Sequence, residues 1–417
     1  RGYFISPAFH DPDQINVQEI SSRDGDSQKW SDRFKLQPSK YQTIVKPNQW
    51  QQYEYPFIYG QIQQEYFPIE HWRECARRTL STTGLTDWLH DRVDIDDPML
   101  VEQLRTRILP KRGIYAGPGE ILVTMGTQNS LYLLANLLFD RHTRVALENP
   151  GYREAHSIFR SFNADLVLQP LDQEGIMVDE KLRTCDYIYI TPGHQVPTGV
   201  EISRRRRAEL VELARSSNTI LIEDDYDAEI SMQENPIPAM KADDRDNRII
   251  YLGSLSKSMS PGLRIGFMVA DEQLIAEARV LRRLMYRHPA SNNQRQTALF
   301  LSLGYYDAYL RKLRTLYVNK LVRMERALNQ HLPDLMTHDV HSGASSFWSR
   351  VADGIDTEHL AWVASREGVL IEPGAVHFLH PSPPCNYLRL GFSTIPGHKI
   401  EPGIAQLKTV LERFNDS

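Results

Sequence analysis

The segment Gly253-Ser254-Leu255-Ser256-Lys257-Ser258-Met259-Ser260-Pro261-Gly262-Leu263-Arg264-Ile265-Gly266 sets one lysine in a loop of small and hydroxyl-bearing residues. Ser254 and Ser256 can donate to a phosphate, the glycines let backbone approach it, and Arg264 adds a fixed cation. The primary amine of Lys257 can form an imine with an aldehyde. An amine beside a phosphate cradle is how a protein holds pyridoxal 5'-phosphate. The plain alternative is a solvated lysine on a Ser/Gly-rich surface turn.

The cofactor reading requires a second segment, and Ile220-Leu221-Ile222-Glu223-Asp224-Asp225-Tyr226-Asp227 supplies it. A short apolar run ending in acids is the pattern of a buried parallel strand whose carboxyl end opens onto a ligand crevice. A carboxylate at Asp224 can keep a pyridine nitrogen protonated, which makes the ring an electron sink. Tyr226, two residues on and so on the same side of an extended chain, can donate to the ring 3'-oxygen. The competing reading is an acidic strand end or a helix N-cap.

Other elements must position these groups. Ile121-Leu122-Val123-Thr124 reads as a strand running into Gly126-Thr127-Gln128-Asn129-Ser130 and a helical stretch from Leu131 to Phe139. Open amides at that helix N-terminus, with the Thr127 hydroxyl, can receive a phosphate; an ordinary Thr/Ser cap is the alternative. Tyr152 follows Pro150-Gly151 on a turn. Arg389 lies among apolar neighbours in Tyr387-Leu388-Arg389-Leu390-Gly391-Phe392, where a guanidinium needs an anion, from a substrate or from a structural salt bridge. Helix-like periodicity (Trp72 to Leu80, Met99 to Ile108, Arg205 to Ala214) alternates with short apolar strands (Val145 to Leu147, Tyr187 to Ile190, Thr219 to Ile222, Ile249 to Leu252, Ile265 to Val269). Such alternation predicts an α/β fold with a mainly parallel sheet covered on both faces.

The lysine loop, the Asp-x-Tyr strand end, Gly126-Thr127-Gln128, Glu148-Asn149-Pro150-Gly151-Tyr152, Thr191-Pro192-Gly193-His194-Gln195-Val196-Pro197-Thr198-Gly199 and Arg389-Leu390-Gly391-Phe392-Ser393 stand in the order seen in fold-type I, class I/II aminotransferases. From about Tyr53 onward the chain resembles in particular the effector domains of MocR/GabR-type transcription regulators, where His-Gln-x-Pro-Thr-Gly is typical. The resemblance implies that Tyr152 stacks on the pyridine face, that His194 lies near the cofactor and that Arg389 grips a substrate carboxylate. It also implies a homodimer, with Tyr59 of Tyr59-Gly60 reaching the phosphate of the neighbouring subunit's cofactor. Catalytic members usually show Asn-Pro-Thr-Gly, the asparagine donating to the ring 3'-oxygen. Here Val196 precedes Pro197, which puts full turnover in doubt.

Arg1-Gly2-Tyr3-Phe4-Ile5-Ser6 resembles the last strand of the winged helix-turn-helix in GntR-type DNA-binding domains. The expected organisation is a remnant of that head at 1–6, a polar linker at 7–47, a large cofactor-binding domain at 48–290 and a small α/β domain at 291–417. The small domain carries a helix around Leu310 to Leu332 and the segment holding Arg389.

At 417 residues with 41% hydrophobic content there is ample core for two such domains, and no apolar run of about 18 residues suggests a membrane span. No secretory segment is visible, so the cytoplasm is the expected compartment. Cys75, Cys185 and Cys385 are too few and scattered for a disulfide framework or a metal cluster. A net charge of −5 gives this portion no global attraction to DNA, and Arg204-Arg205-Arg206-Arg207 reads as the start of a solvated helix. Two functional readings follow. One is a sensor, binding the cofactor as an internal aldimine with Lys257 and an amino-acid-like effector as an external aldimine, and acting on DNA only through the winged helix. The other is a stand-alone aminotransferase that uses the same lysine to shuttle a proton. Either ligand pairs an amine with an acid group: an α- or ω-amino acid, a diamine acid or a sulfonate analogue.

Overall fold

The computed structural model describes residues 30–44, 46–60, 62–232, 236–339, 345–380 and 382–415. The expected winged-helix remnant at 1–6 and linker residues 7–29 lie outside the described residues. Arg1–Tyr41 forms one unit, in which Trp30–Asp32 and Pro38–Lys40 are single 3-10 turns; Gln42–Ser417 forms the other.

The larger unit opens with a two-residue strand, β1 (Tyr55–Pro56), and three helices, α1 (Ile69–Thr79), α2 (Thr82–Trp88) and α3 (Pro98–Gln103). Strand–helix alternation follows: β2 (Ile121–Thr124), α4 (Thr127–Leu138), β3 (Arg144–Asn149), α5 (Arg153–Ser161), β4 (Asp165–Asp172), β5 (Gly175–Ile176), β6 (Tyr187–Ile190), α6 (Arg204–Ser217), β7 (Ile220–Asp225), β8 (Ile249–Ser254) and β9 (Gly266–Val269). These strands form one sheet in the order β2-β9-β8-β7-β6-β3-β4-β5. The pairings from β4 through β3, β6 and β7 to β8 are parallel, β9 is antiparallel to both neighbours, and β5 returns antiparallel on β4.

Both faces of this sheet are covered, which is why its strands read as continuous apolar runs. Successive β7 residues show the division. Leu221 joins the cluster that includes Leu210 and Leu213 of α6, whereas Ile222 joins Leu131 and Leu134 of α4 and Phe159 of α5. The arginine run does open α6, but not as a solvated face: Arg206 and Arg207 are buried. Arg206 Nη2 pairs with Asp172 Oδ2 at 2.8 Å, and Arg207 donates to the carbonyls of Ile202, Pro192 and Pro238. A buried guanidinium persists only with such partners.

Helices α7 (Glu272–Tyr286), α8 (Ser291–Ser302) and α9 (Tyr305–His331) carry the chain onward, so two helices separate the expected boundary near 291 from the start of the second sheet. That sheet contains β10 (Met336–Asp339), β11 (Ser346–Val351), β13 (Glu372–Pro373) and β14 (Tyr387–Gly391), in the antiparallel order β10-β11-β14-β13. It is accompanied by α10 (Thr357–Arg366), β12 (Val369–Leu370) and α11 (Ile400–Asn415). β1 pairs in parallel with β12, and the Gly391 amide donates to the Phe57 carbonyl at 3.1 Å. Residues 55–57, which lie within the stretch expected as the large domain (48–290), are thus tied to β12 and β14 far along the chain. Among the described residues no helix is long and apolar enough to cross a membrane, and no cluster of potential metal ligands occurs.

Candidate active site

The carboxyl ends of β2, β7 and β8 open onto a cavity of about 300 Å³, with Lys257 at its floor just beyond β8. Gly60 passes so close that a β-carbon there would collide with the Lys257 Nζ, and its φ of +76° lies in the left-handed region that glycine tolerates. The amine also stands 4.6 Å from the centre of the Tyr59 ring. Burial, reinforced by the cations of Lys46 and Arg389 and opposed by Asp227 and Glu372, lowers Lys257 to about 7. A lysine so placed presents a substantial neutral, nucleophilic fraction near neutral pH.

Strand periodicity assigns opposite tasks to the acids ending β7. Glu223 and Asp225 turn to one face: Glu223 accepts from the amides of Met240 and Lys241, and Asp225 Oδ2 accepts from Arg112 Nε at 2.7 Å and the Tyr251 hydroxyl at 2.9 Å. Asp224 turns to the other face, into the cavity. Its Oδ2 accepts from the Tyr189 hydroxyl at 2.8 Å, while its buried Oδ1 has no hydrogen-bond partner. Burial raises this carboxyl to about 8 against the bond from Tyr189. A cationic ring N–H satisfies such a group. Asp224→Ala is therefore expected to weaken cofactor binding roughly 10- to 150-fold, the worth of one buried charge-assisted bond. Titration of the apoprotein by fluorescence quenching reads it, and affinity within a factor of two of wild type would show that Asp224 faces something else.

The phosphate end is equally well prepared. Gly126, at φ +99°, turns β2 into α4, whose first residues Thr127 and Gln128 line the cavity. Arg264 Nη2 donates to the Met125 carbonyl at 2.5 Å and so stands beside that turn. Ser254 Oγ accepts from the Ser256 amide at 3.2 Å, and the Ser256 hydroxyl is buried with no partner. Helix amides, a hydroxyl awaiting an acceptor and an arginine make a phosphate seat. Tyr152 and Tyr226 line the same cavity, so the chain's own residues fit pyridoxal 5'-phosphate from ring nitrogen to phosphate.

Two residues take positions other than those expected, and a third has an internal partner. His194 is not among the residues lining the cavity: its buried ring meets Asp227 Oδ1 through Nδ1 at 3.0 Å, and it presents its backbone carbonyl to the Tyr226 hydroxyl at 3.0 Å. Burial disfavours the charged ring, yet Asp227 holds His194 above the usual histidine value. The histidine serves an internal ion pair behind Tyr226. Tyr59 lies in its own chain's cavity rather than reaching outward, because its amide is held by Glu372 Oε2 at 2.9 Å and its ring packs between Lys257 and Arg389. Arg389 lines the cavity, as the carboxylate reading requires, but already has an internal anion: its Nε lies 3.2 Å from Glu372 Oε2. Burial pushes the Glu372 carboxyl up, and Arg389, Lys46 and the Tyr59 amide more than compensate, holding it below its ordinary value.

Sequence reasoning did not select Lys46, Glu372, Glu154 or Tyr189. Lys46 and Ile44 belong to the stretch expected as linker, yet both line the cavity, and the Ile44 amide donates to Glu154 Oε1 at 3.3 Å. The signal for Glu372 was present: an acid directly after the apolar Val369-Leu370-Ile371 needs a buried cation.

Known proteins with this arrangement are of two kinds. The family described as aminotransferase class I and II matches residues 60–334. The HTH-type transcriptional regulator TauR of Rhodobacter capsulatus is 36% identical over 98% of this chain and 84% of its own length. The probable rhizopine catabolism regulatory protein MocR of Rhizobium meliloti is 30% identical over 77% of this chain and 65% of its own. Among solved structures, LysN, the α-aminoadipate aminotransferase of Thermus thermophilus complexed with N-(5'-phosphopyridoxyl)-L-leucine, superposes with a TM-score of 0.83 at 26% identity, covering 93% of this chain and all of that one. Pyridoxal 5'-phosphate is accordingly the cofactor of this crevice, and the chain belongs to the class I and II aminotransferase family.

Proposed function

We propose that this chain is the effector-sensing part of a helix-turn-helix transcription regulator, whose cofactor-bearing crevice recognises an amine that also carries an acid group. The observation that carries this reading over an enzyme is the residue before Pro197. Val196 lines the cavity without a side-chain donor, at the position where catalytic members carry an asparagine. The neighbouring Gln195 amide is spent elsewhere, on Glu148 Oε2 at 3.2 Å and on the carbonyls of Pro150 at 2.9 Å and Val196 at 2.6 Å. Similarity to a transcriptional regulator over nearly the whole chain supports the same reading.

When bound, pyridoxal 5'-phosphate supplies an aldehyde that captures a primary amine and a ring that withdraws electrons from it. Lys257 Nζ would supply the amine that holds the cofactor and, when not so engaged, would be an amine able to accept a proton. Asp224 Oδ1 would accept from the ring N–H and Tyr152 would cover the ring face, while the Tyr226 hydroxyl, which donates to the His194 carbonyl, would turn to donate at the 3'-oxygen. Ser256, Thr127 and Arg264 would hold the phosphate. A ligand that binds one arrangement of the two domains better than the other shifts the balance between them, typically by about 1–3 kcal/mol of coupling.

Lys257, Asp224 and Tyr226 are also what a transaminase needs, and this favours a second reading as an aminotransferase acting on an amino acid and a keto acid. Turnover separates the two. For the sensor, ligand exchange on the cofactor is ready, while sustained transfer to any keto acid stays well below the ordinary enzyme range. A steady-state rate of about 1 to 1000 per second with some donor and acceptor would make the chain an aminotransferase.

A further inference from the structure

Three charged side chains meet at the ligand end of the crevice, and two of them are cations. Glu372 Oε1 lies 3.5 Å from Lys46 Nζ, and its Oε2 lies 3.2 Å from Arg389 Nε. Their side chains are only 22%, 9% and 4% exposed for Lys46, Glu372 and Arg389. One carboxylate is therefore shared by two largely buried cations beside the cavity of about 300 Å³, which Glu154 also lines. Arg389 commits only its Nε to Glu372, which leaves the Nη donors that grip an anion in the bidentate manner. Lys46 also donates to the Tyr59 carbonyl, so its ammonium is fixed over the cavity rather than dangling in solvent.

We propose that Lys46 and Arg389 form a two-cation seat for the acid group of the ligand, and that Glu372 is the internal anion with which this group competes. The inference rests on the reading of the crevice as a pocket for an amine bearing an acid group, and it adds a residue from the segment ahead of the domain. Two buried cations that share a single carboxylate retain donors that an incoming anion can satisfy. Glu372 supplies the counter-charge without ligand. Because Lys46 follows Ile44, which docks on Glu154, a ligand seated between Lys46 and Arg389 touches the leading segment and β14 at once. A carboxylate and a sulfonate present the same chemistry to this seat, so both are tested.

The experiment is an anion titration of the protein loaded with pyridoxal 5'-phosphate, using acetate in one arm and methanesulfonate in the other. An anion seated beside the cofactor-bearing lysine raises its proton affinity, and the cofactor absorbance at fixed pH reports the change. Wild type is expected to respond saturably to at least one of the two, the stronger arm naming the acid class. Lys46→Gln should weaken that response at least about tenfold, Lys46→Arg should restore it to within about threefold, and Glu372→Gln should tighten it by removing the competitor. Acetate and methanesulfonate affinities in Lys46→Gln within twofold of wild type, or the absence of any saturable response in loaded wild type, overturn this inference alone. A protein that takes up no cofactor overturns it together with the functional reading.

Discussion

Lys257→Ala is expected to take up pyridoxal 5'-phosphate reversibly and to form no bond to it that borohydride can trap. Wild type should be yellow and should keep its cofactor through reduction and denaturation, with the label on the peptide containing Lys257. The effect is all or none, because it removes the amine and not merely a contact. Lys46 is the other amine lining the cavity. Its Nζ is already engaged by the Tyr59 carbonyl and by Glu372, so it is a poor substitute. Retention of a trapped cofactor in the alanine variant, or label on Lys46 in wild type, would displace Lys257 from its role. The pH dependence follows from the lowered amine. Attachment needs the neutral form, so its rate should climb as pH rises to about 7 and then level off. A lysine at its ordinary value would keep accelerating to about pH 10.

Asp96→Ala should be the most damaging change to stability among single substitutions outside the crevice. Asp96 and Arg282 have side chains with no exposure, and Asp96 Oδ1 accepts from Arg282 Nη1 at 2.6 Å. Its Oδ2 accepts from Arg279 Nη1 at 2.6 Å and from the Val123 amide at 3.2 Å. Arg282 and Arg279 also donate to the carbonyls of Val123 and Ile121, so this one carboxylate locks α7 onto β2. Removing it strands a guanidinium in the interior, a loss of about 3–5 kcal/mol. Denaturant unfolding of the apoprotein measures it. The exposed pair Arg73–Glu70 is the control, for which Glu70→Ala should change nothing measurable. Equal midpoints for Asp96→Ala and Glu70→Ala would mean that the buried pair stabilises nothing.

How far the sequence could be read depended on whether a residue's task is local. β7 was legible because Ile220 to Ile222 are apolar and the acids follow at once, and its alternation correctly turns Asp224 away from Glu223 and Asp225. The α4 seat was legible because Gly126 and Thr127 are adjacent to the strand they end. Helix α9 was found within a few residues, at Tyr305–His331. Lys46 was not legible: it sits in a polar stretch whose composition resembles a linker, and only its approach to Glu372, far along the chain, gives it a function. His194 misled for the same reason, since Asp227, its partner, lies in a different turn. The arginine run of α6 was misjudged because carbonyls from three separate segments neutralise the cost of burying Arg207.

The pairing of β1 with β12 joins stretches that lie far apart in the chain. Phe57 is tied to Gly391, and the Ile58 carbonyl accepts from the Thr394 hydroxyl at 3.2 Å. Tyr59 is tied to Glu372, and Gly60 follows it over Lys257. The segment over Lys257 and the strand that carries Arg389 are therefore joined by hydrogen bonds. A displacement of either would carry the other with it, so the cover over Lys257 and the placement of Arg389 are mechanically coupled.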